Sequence, residues 1–327
     1  CIGWNQWMLT ATVRADGSSR FAPEHRWGIF PSVALGWKIK ETFLQDVNEI
    51  NDLKLRLGYG ITGQQETGLG DYPYMATYTI SQDHAYYPIG GEENMLLDKE
   101  GNPVKDSNGN QLYTTYRPNA FNRYLTWEKT TTYNAGIDFG FLNNRVSGSI
   151  DYYFRQTDDL LNTIPVAVGT NFRNKVISNV GSLNNQGVEF AINAVAMDKK
   201  NFKWDLGFNI TYNENKITKL NTGEDQTPIP VGGISCGTGN TIQRHAVGYP
   251  AYSFYVYEAA EGTHENGEKY WYVVDRNEDG EISEADQYYY KSRNAPITMG
   301  FQTKFQFYGF DLGISLRSNV GNYVYND

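Results

Sequence analysis

A chain of 327 residues can form one large domain or two ordinary ones, and its 33 Gly, 25 Tyr and 16 Phe suit strands and turns better than helices. A net charge of −9 argues against nucleic acid as a partner, which would require clustered Lys and Arg. No apolar run approaches the roughly 20 residues of a membrane-spanning helix, which excludes a helical membrane protein but not a barrel of alternating strands.

The N-terminus lacks the basic, then apolar, then small-residue order of a signal peptide. Cys1 fits the lipid-bearing first residue of a lipoprotein, but the preferred reading is a chain that begins inside a longer protein, because Trp7–Arg14 is already a strand. Cys1 and Cys236 make no disulfide framework and indicate no redox compartment.

Period-2 alternation predicts nine strands: Trp7–Arg14, Val33–Ile39, Leu53–Gly60, Tyr133–Phe141, Val146–Phe154, Val188–Ala194, Phe202–Tyr212, Met299–Phe307 and Phe310–Arg317. In Phe202–Tyr212 one face reads Phe202, Trp204, Leu206, Phe208, Ile210, Tyr212, and the other reads Lys203, Asp205, Gly207, Asn209, Thr211. Several strands match the roughly 9–11 residues that cross a bilayer at a tilt. Tight links at Asn143-Asn144, Asp198–Asn201 and Tyr308-Gly309 take turns with long polar stretches, 157–186 and 214–296 among them. Membrane barrels connect their strands in this way, with short turns at one end and long loops at the other. If Trp7–Arg14 runs outward, every tight turn falls at the same end, provided that 62–131 and 214–298 contain zero or two crossings each. Hairpin-like pieces at Asn102-Pro103 and Asn108-Gly109 are assigned to the loops.

A soluble sandwich alternates too, so the position of charges and aromatics carries the choice. Trp37, Tyr59, Tyr133 and Tyr212 sit near the ends of the apolar faces, as an interfacial girdle would. Lys54, Arg56, Asp138, Asp151, Glu189, Lys203 and Asp205 all fall on the opposite phase. The pattern favours an all-β, antiparallel transmembrane barrel with long external loops. The edges at Trp7–Arg14 and Phe310–Arg317 are expected to pair with chain outside this sequence.

Catalytic motifs are weak. Gly58–Gly63 spells G-x-G-x-x-G but opens a polar loop instead of the helix that would hold a pyrophosphate. Gly233–Gly237 spells G-x-S-x-G, yet Pro228-Ile229-Pro230 precedes it and a Gly/Thr/Asn stretch follows, unlike a nucleophile elbow. His25, His84, His245 and His264 are scattered singly. These features predict no enzyme. Asp275–Asp286 does follow a calcium-loop pattern, with side-chain oxygens at Asp275, Asn277, Asp279 and Asp286, the carbonyl of Glu281, and Gly280 at the sharp turn. Asp286 is shorter than the usual chelating Glu. The two readings left open are a Ca2+ site in an external loop and an acidic turn that binds nothing.

Arg14–Phe21 (R-A-D-G-S-S-R-F), Phe30-Pro31-Ser32, Leu53–Gln64, Trp127–Thr130, Asn134–Asp138 and Asp151–Tyr153 resemble motifs of the SusC/RagA family of TonB-dependent outer-membrane transporters. Thr157–Leu161, Asn185–Glu189, Val247–Pro250, Asp275–Asp286 and Phe310–Leu312 continue the likeness along nearly the whole chain. The resemblance implies that residues 1–327 are a mid-to-late part of a barrel of about 22 strands, with an N-terminal plug and the final strands lying outside them. It also implies a Gram-negative outer membrane, contact with its lipid, a TonB complex, and a SusD-like lipoprotein lid that delivers oligosaccharides or peptides. Tyr72, Tyr74, Tyr86, Tyr87, Trp271, Tyr288, Tyr289 and Tyr290 are the candidate substrate contacts, since aromatic faces suit sugar rings. A siderophore or metal-complex receptor and a soluble glycan-binding β-sandwich are the alternatives.

Overall fold

The computed structural model describes residues 2–4, 6–66, 72–85, 94–165, 169, 175–220, 226–234 and 237–326. In chain order the strands are β1 (Ile2–Trp4), β2 (Trp7–Gly17), β3 (Trp27–Lys38), β4 (Ile50–Gln64), β5 (Tyr78–Ala85), β6 (Tyr113–Pro118), β7 (Glu128–Phe141), β8 (Val146–Pro165), β9 (Lys175–Lys199) and β10 (Phe202–Lys219). They continue with β11 (Ile229–Ile234), β12 (Gly237–His245), β13 (Ser253–Val256), β14 (Ala259–Thr263), β15 (Lys269–Val273), β16 (Tyr288–Ser292), β17 (Ile297–Phe307) and β18 (Phe310–Val320).

Ten of them form one antiparallel sheet in the order β1-β2-β3-β4-β7-β8-β9-β10-β17-β18. Each wall strand lies beside its predecessor in the chain, apart from two excursions. These excursions build their own small sheets, β5–β6 in one and β11-β12-β13-β16 with β14–β15 in the other. Among the described residues each therefore adds zero crossings to the wall, as the direction count from sequence requires.

All nine predicted strands are present, but several are longer. Residues 157–165 and 175–186, read as a polar loop, are strand: β8 and β9 stay paired out to Pro165↔Lys175. Lipid enforces apolar alternation only within the bilayer, so the hydrated extension of a strand carries no such signature. Ile39, read as strand, instead opens a short helix, α1 (Ile39–Phe43). The Lys40 ammonium reaches the carbonyls of Leu44 (2.5 Å), Gln45 (3.0 Å) and Val47 (2.8 Å), closing the helix end at which carbonyls are left over. At the edges, β1 covers part of β2 through Ile2↔Leu9 and Trp4↔Trp7, so that stretch pairs within this chain. β2 and β18 do not pair with each other, and the sheet is open.

Turn chemistry explains the tight links. Leu142, Asn143 and Asn144 have φ of 53°, 56° and 58°, a left-handed run that Asn tolerates better than most residues. Tyr308 (φ 46°) and Gly309 (φ 87°) form the two-residue primed turn that matches the twist of a hairpin.

Candidate functional site

Register makes the wall two-sided. Across β3, β4, β7 and β8, Leu35 faces Leu57, Leu57 faces Ala135 and Ala135 faces Tyr152; Tyr59 meets Tyr133, which meets Phe154. Across β9, β10, β17 and β18, Ile192 faces Phe208, Phe208 faces Phe301 and Phe301 faces Leu316. One face is therefore apolar from β2 to β18. On β10 it runs from Phe202 to Tyr212, about 33 Å along the strand and about 25 Å high at a 40° tilt, the height of a hydrocarbon band.

That face is uncovered. Ile150 is 46% exposed, Leu57 44%, Val188 44% and Leu316 60%. A sandwich would bury these side chains beneath a second sheet. The clustered apolar core among the described residues is instead Phe21, Phe30, Leu125 and Trp127, beyond the level of Tyr59 and Tyr133. Aromatic stacks mark the other end of the band: Trp7 on Trp37 (4.8 Å, 3°) and Trp204 on Phe305 (5.4 Å, 17°). Aromatic rings are enriched where bilayer meets water.

The opposite face carries ions. Lys54 Nζ lies 2.8 Å from Asp138, and Arg56 bridges Asp138 (2.8 Å) and Asp151 (2.9 Å) across β4, β7 and β8. The bridge needs a glycine between its partners. A Cβ on Gly136 would lie 2.1 Å from Asp151 Oδ1 and 2.8 Å from Arg56 Nη2. Lys203 and Asp205 continue the phase at 3.7 Å.

The separate sequence motifs meet in one knot at the outer end. Trp127 packs 5.4 Å from both Phe21 and Phe30, and its Nε1 donates to the Arg26 carbonyl at 3.1 Å. Gly63 leaves room for the Phe30 ring, whose Cζ would be 2.1 Å from an added Cβ. Pro31 has no N–H to give, and the β3–β4 ladder stops at the next residue, Ser32↔Gly60. Asn179 ties the knot to β9, donating to the carbonyls of Thr126 (2.9 Å) and Asp159 (2.8 Å) and accepting from Thr126 N (2.9 Å).

Of the candidate contacts, Tyr72 and Tyr74 form an edge-to-face pair (6.4 Å) beside a cavity that Leu125 and Ile177 also line. Trp271 stands 71% exposed on the β14–β15 hairpin. Tyr289 stacks on Tyr249 (4.0 Å) and packs against Tyr255 (4.9 Å), whereas Tyr288 lies under Arg276 (4.2 Å) and Tyr290 against Tyr323 (5.4 Å). Tyr86 and Tyr87 lie outside the described residues. The candidates thus occupy three separate places.

In the loop Asp275–Asp286 most of the side-chain oxygens are engaged by the loop itself, while Oδ1 of Asp275 is buried without a hydrogen-bond partner. Asp286 is fully buried and accepts from Arg276 N (2.8 Å), Asn277 N (3.4 Å) and Ser283 N (2.8 Å). The backbone bond from Ser283 leads in holding its carboxyl below the usual aspartate range. Asp275 accepts from Gly280 N (2.7 Å), Asp279 from Glu281 N (2.8 Å), and Asn277 donates to Asp279 (2.7 Å). Among the described residues no cluster of three or more His, Cys, Asp or Glu is arranged as a metal cage.

An apolar belt open to the surroundings, an ionic inner face and excursions gathered at one end are the anatomy of a membrane barrel wall. The family model "TonB dependent receptor-like, beta-barrel" matches residues 2–327. The chain belongs to that family. It is 49% identical over 99% of its length to the TonB-dependent receptor SusC of Bacteroides thetaiotaomicron, and covers 30% of that receptor. It is 34% identical over 73% of its length to the TonB-dependent receptor P39 of Formosa agariphila, and covers 20% of it. The RagAB peptide importer in its "open-open" state superposes with a TM-score of 0.75 at 27% identity, with 97% of this chain and 31% of that one matched. The chain therefore corresponds to about a third or less of the relatives it matches, and these are SusC/RagA-type receptors, not enzymes.

Within this receptor wall, sequence reasoning placed the lumenal ions correctly but missed Tyr249 and Tyr255. Tyr249 sits in the Val247–Pro250 motif, where Gly248 takes φ 91°. That turn was legible as a motif, but the loop's return to the wall was not. Gly248 N donates to the Ile217 carbonyl (2.8 Å) and Ile217 N to the Tyr249 carbonyl (3.0 Å), closing the edge of β10.

Proposed function

We propose that the receptor of which this chain is part imports oligosaccharides across a Gram-negative outer membrane, energised through a TonB complex and fed by a SusD-like lipoprotein lid. The observation that carries the reading is the two-sided wall. Its uncovered belt of Leu57, Ile150, Val188 and Leu316 suits lipid, and the Lys54–Asp138–Arg56–Asp151 network suits a wet lumen. The excursions 65–127 and 220–296 leave from the end opposite the tight turns, where a lid would meet incoming substrate. Peptide is the second substrate reading, supported by the RagAB neighbours, which are named a peptide importer and a peptide transporter.

The test is uptake by cells in which the whole receptor is deleted and then restored. Restored uptake of labelled neutral oligosaccharides, abolished when TonB is removed, is the expected result. Uptake of peptides alone would move the assignment to the second reading, and uptake independent of TonB would overturn it. Purification of the tagged receptor in mild detergent tests the lid, which is expected to co-purify as a lipoprotein.

A further inference from the structure

A cavity of about 270 Å³ lies where the outer end of β10 meets the 249–253 turn and the strand leading into β17; Asn213, Asn215, Tyr249, Ser253, Tyr289 and Tyr290 are among its walls. We propose that this cavity is a subsite for one or two neutral sugar rings at the mouth of the lumen. The inference rests on the import reading and adds to it a place and a ligand chemistry.

Position comes from strand phase. Asn213 and Asn215 share the phase of Lys203 and Asp205, the lumenal side of β10, while Tyr212 and Glu214 line the cavity from the opposite phase at the strand's outer end. Their side chains hold neighbours there: Asn213 Oδ1 accepts from the Tyr153 hydroxyl (2.6 Å) and Asn215 Oδ1 from Ala251 N (2.9 Å). The turn at Ala251 is therefore drawn inward from the wall. Pockets for whole drug-sized ligands start at about 300 Å³, so this one suits a ring-sized piece of a longer chain.

Rigidity comes from a column of rings. Tyr249 stacks on Tyr289 (4.0 Å, 24°), Tyr289 packs on Tyr255 (4.9 Å), and the Arg244 guanidinium covers Tyr255 at 3.9 Å. Tyr249 and Tyr290 remain 41% and 47% exposed, which leaves ring surface for a guest. A preformed aromatic face loses little entropy when it binds.

The wall chemistry selects among ligands. Both asparagines use their carbonyl oxygens internally, so each offers its amide NH2, and the Ser253 hydroxyl, which donates to the Pro250 carbonyl (2.7 Å), can still accept. Sugar hydroxyls both accept and donate and fit such a set. An anionic guest would call for an Arg fork, but Arg244 and Arg293 lie over Tyr255 (3.9 Å) and Tyr252 (3.7 Å). An extended peptide binds by adding to an open strand edge. Here the edge of β10 is taken, with Asn213 N donating to the Pro296 carbonyl (2.8 Å) and Ile217 paired to the 248–249 turn. Glu214 and Lys291 also line the cavity, and their opposite charges leave it close to neutral.

The experiment uses the full-length receptor in detergent and titrates it by calorimetry with neutral gluco-, fructo-, xylo- and manno-oligosaccharides of four to seven units, and with uncharged peptides of similar length. Tyr290→Ala removes an exposed ring, and Tyr249→Leu removes a ring but keeps the turn's backbone. Each is expected to weaken binding of the best oligosaccharide at least tenfold, while Leu97→Ala, an exposed position on the other excursion, leaves it unchanged. Oligosaccharide binding that both cavity variants retain at full strength overturns the subsite and leaves the import reading standing. Binding of peptides alone overturns both. Thermal melts of each variant separate a lost contact from a lost fold: weakened binding with an unchanged melt supports the subsite, and a binding loss seen only in variants that melt early counts against it.

Discussion

A one-residue shift along β8 should move a new charge from a costly position to a cheap one. Ile150 lies at mid-height on the apolar face, between Ile137 on β7 and Phe190 on β9. Ser149, its neighbour, points to the lumen between Asp138 and Ala191. An arginine on the lipid face near the bilayer midplane costs about 2–4 kcal/mol, and on the lumenal face close to nothing. At 1.4 kcal/mol per decade, Ile150→Arg should shift the folding equilibrium in bilayers by roughly 30- to 700-fold. Ser149→Arg, facing the Asp138 carboxylate, should be neutral within about 0.5 kcal/mol. The assay is refolding of the full-length receptor into lipid vesicles across a urea series, read by heat-modifiable mobility on a gel. Equal tolerance of the two substitutions would refute the assignment of faces. A larger loss at Ser149 would show that the faces are reversed.

Three further outcomes follow from particular contacts. Gly63→Val puts a side chain on the Phe30 ring, 2.1 Å from its nearest carbon, and should cost about 1–3 kcal/mol in a thermal or urea melt; Phe30→Ala in the same chain should recover part of that, and a purely additive double variant would contradict the contact. Arg56→Met leaves Asp151 without a cation and Asp138 with Lys54 alone; loss of a fully buried partner costs about 3–5 kcal/mol, and exposure to lumenal water reduces this to about 1–2 kcal/mol. In the Asp275–Asp286 loop, the lowered carboxyl of Asp286 means that its stabilising contribution is present above the ordinary aspartate range and lost as pH falls through its depressed value. Proteolysis within 275–292 should therefore rise in acid, and Asp286→Asn should show the same cutting at neutral pH. Ca2+ binding by this loop is a proposal with its own test: micromolar Ca2+ should raise the melting temperature of the wild type and leave Asp275→Ala unmoved, and a melt insensitive to both Ca2+ and EGTA would leave the loop as a self-bonded turn.

The wall was legible in sequence because lipid imposes a two-residue period wherever a strand crosses it. Phe202–Tyr212 and Val146–Phe154 show that period, and their neighbours pair in the register it implies. The hydrated parts were not legible. Residues 157–165 and 175–186 are paired strand without an apolar face, and their ladder follows from the backbone. The helix at Ile39–Phe43 was hidden by a preceding apolar alternation that ran into it. For the candidate site, the aromatic residues were visible as residues but not as groups. Tyr288, Tyr289 and Tyr290 read as one patch, yet alternation on β16 sends Tyr289 to Tyr249 and leaves its neighbours to Arg276 and Tyr323. The motif glycines were visible without their reasons. Gly63 and Gly136 make room for Phe30 and for the Arg56–Asp151 bridge, contacts made between segments far apart in the chain.

The central claim is that acyl chains touch the Leu57/Ile150/Phe208/Leu316 side of the wall. Single cysteines at Ile150, Phe208 and Leu316, and at Ser149, Gly207 and Ser315, can be placed in a full-length receptor from which the native cysteines have been removed. Each is labelled with a small fluorophore and reconstituted into vesicles whose lipids carry bromine on the acyl chains. The account predicts strong quenching at the first three positions and little at the second three. Quenching that fails to distinguish the two sets, or that favours Ser149, Gly207 and Ser315, would contradict it.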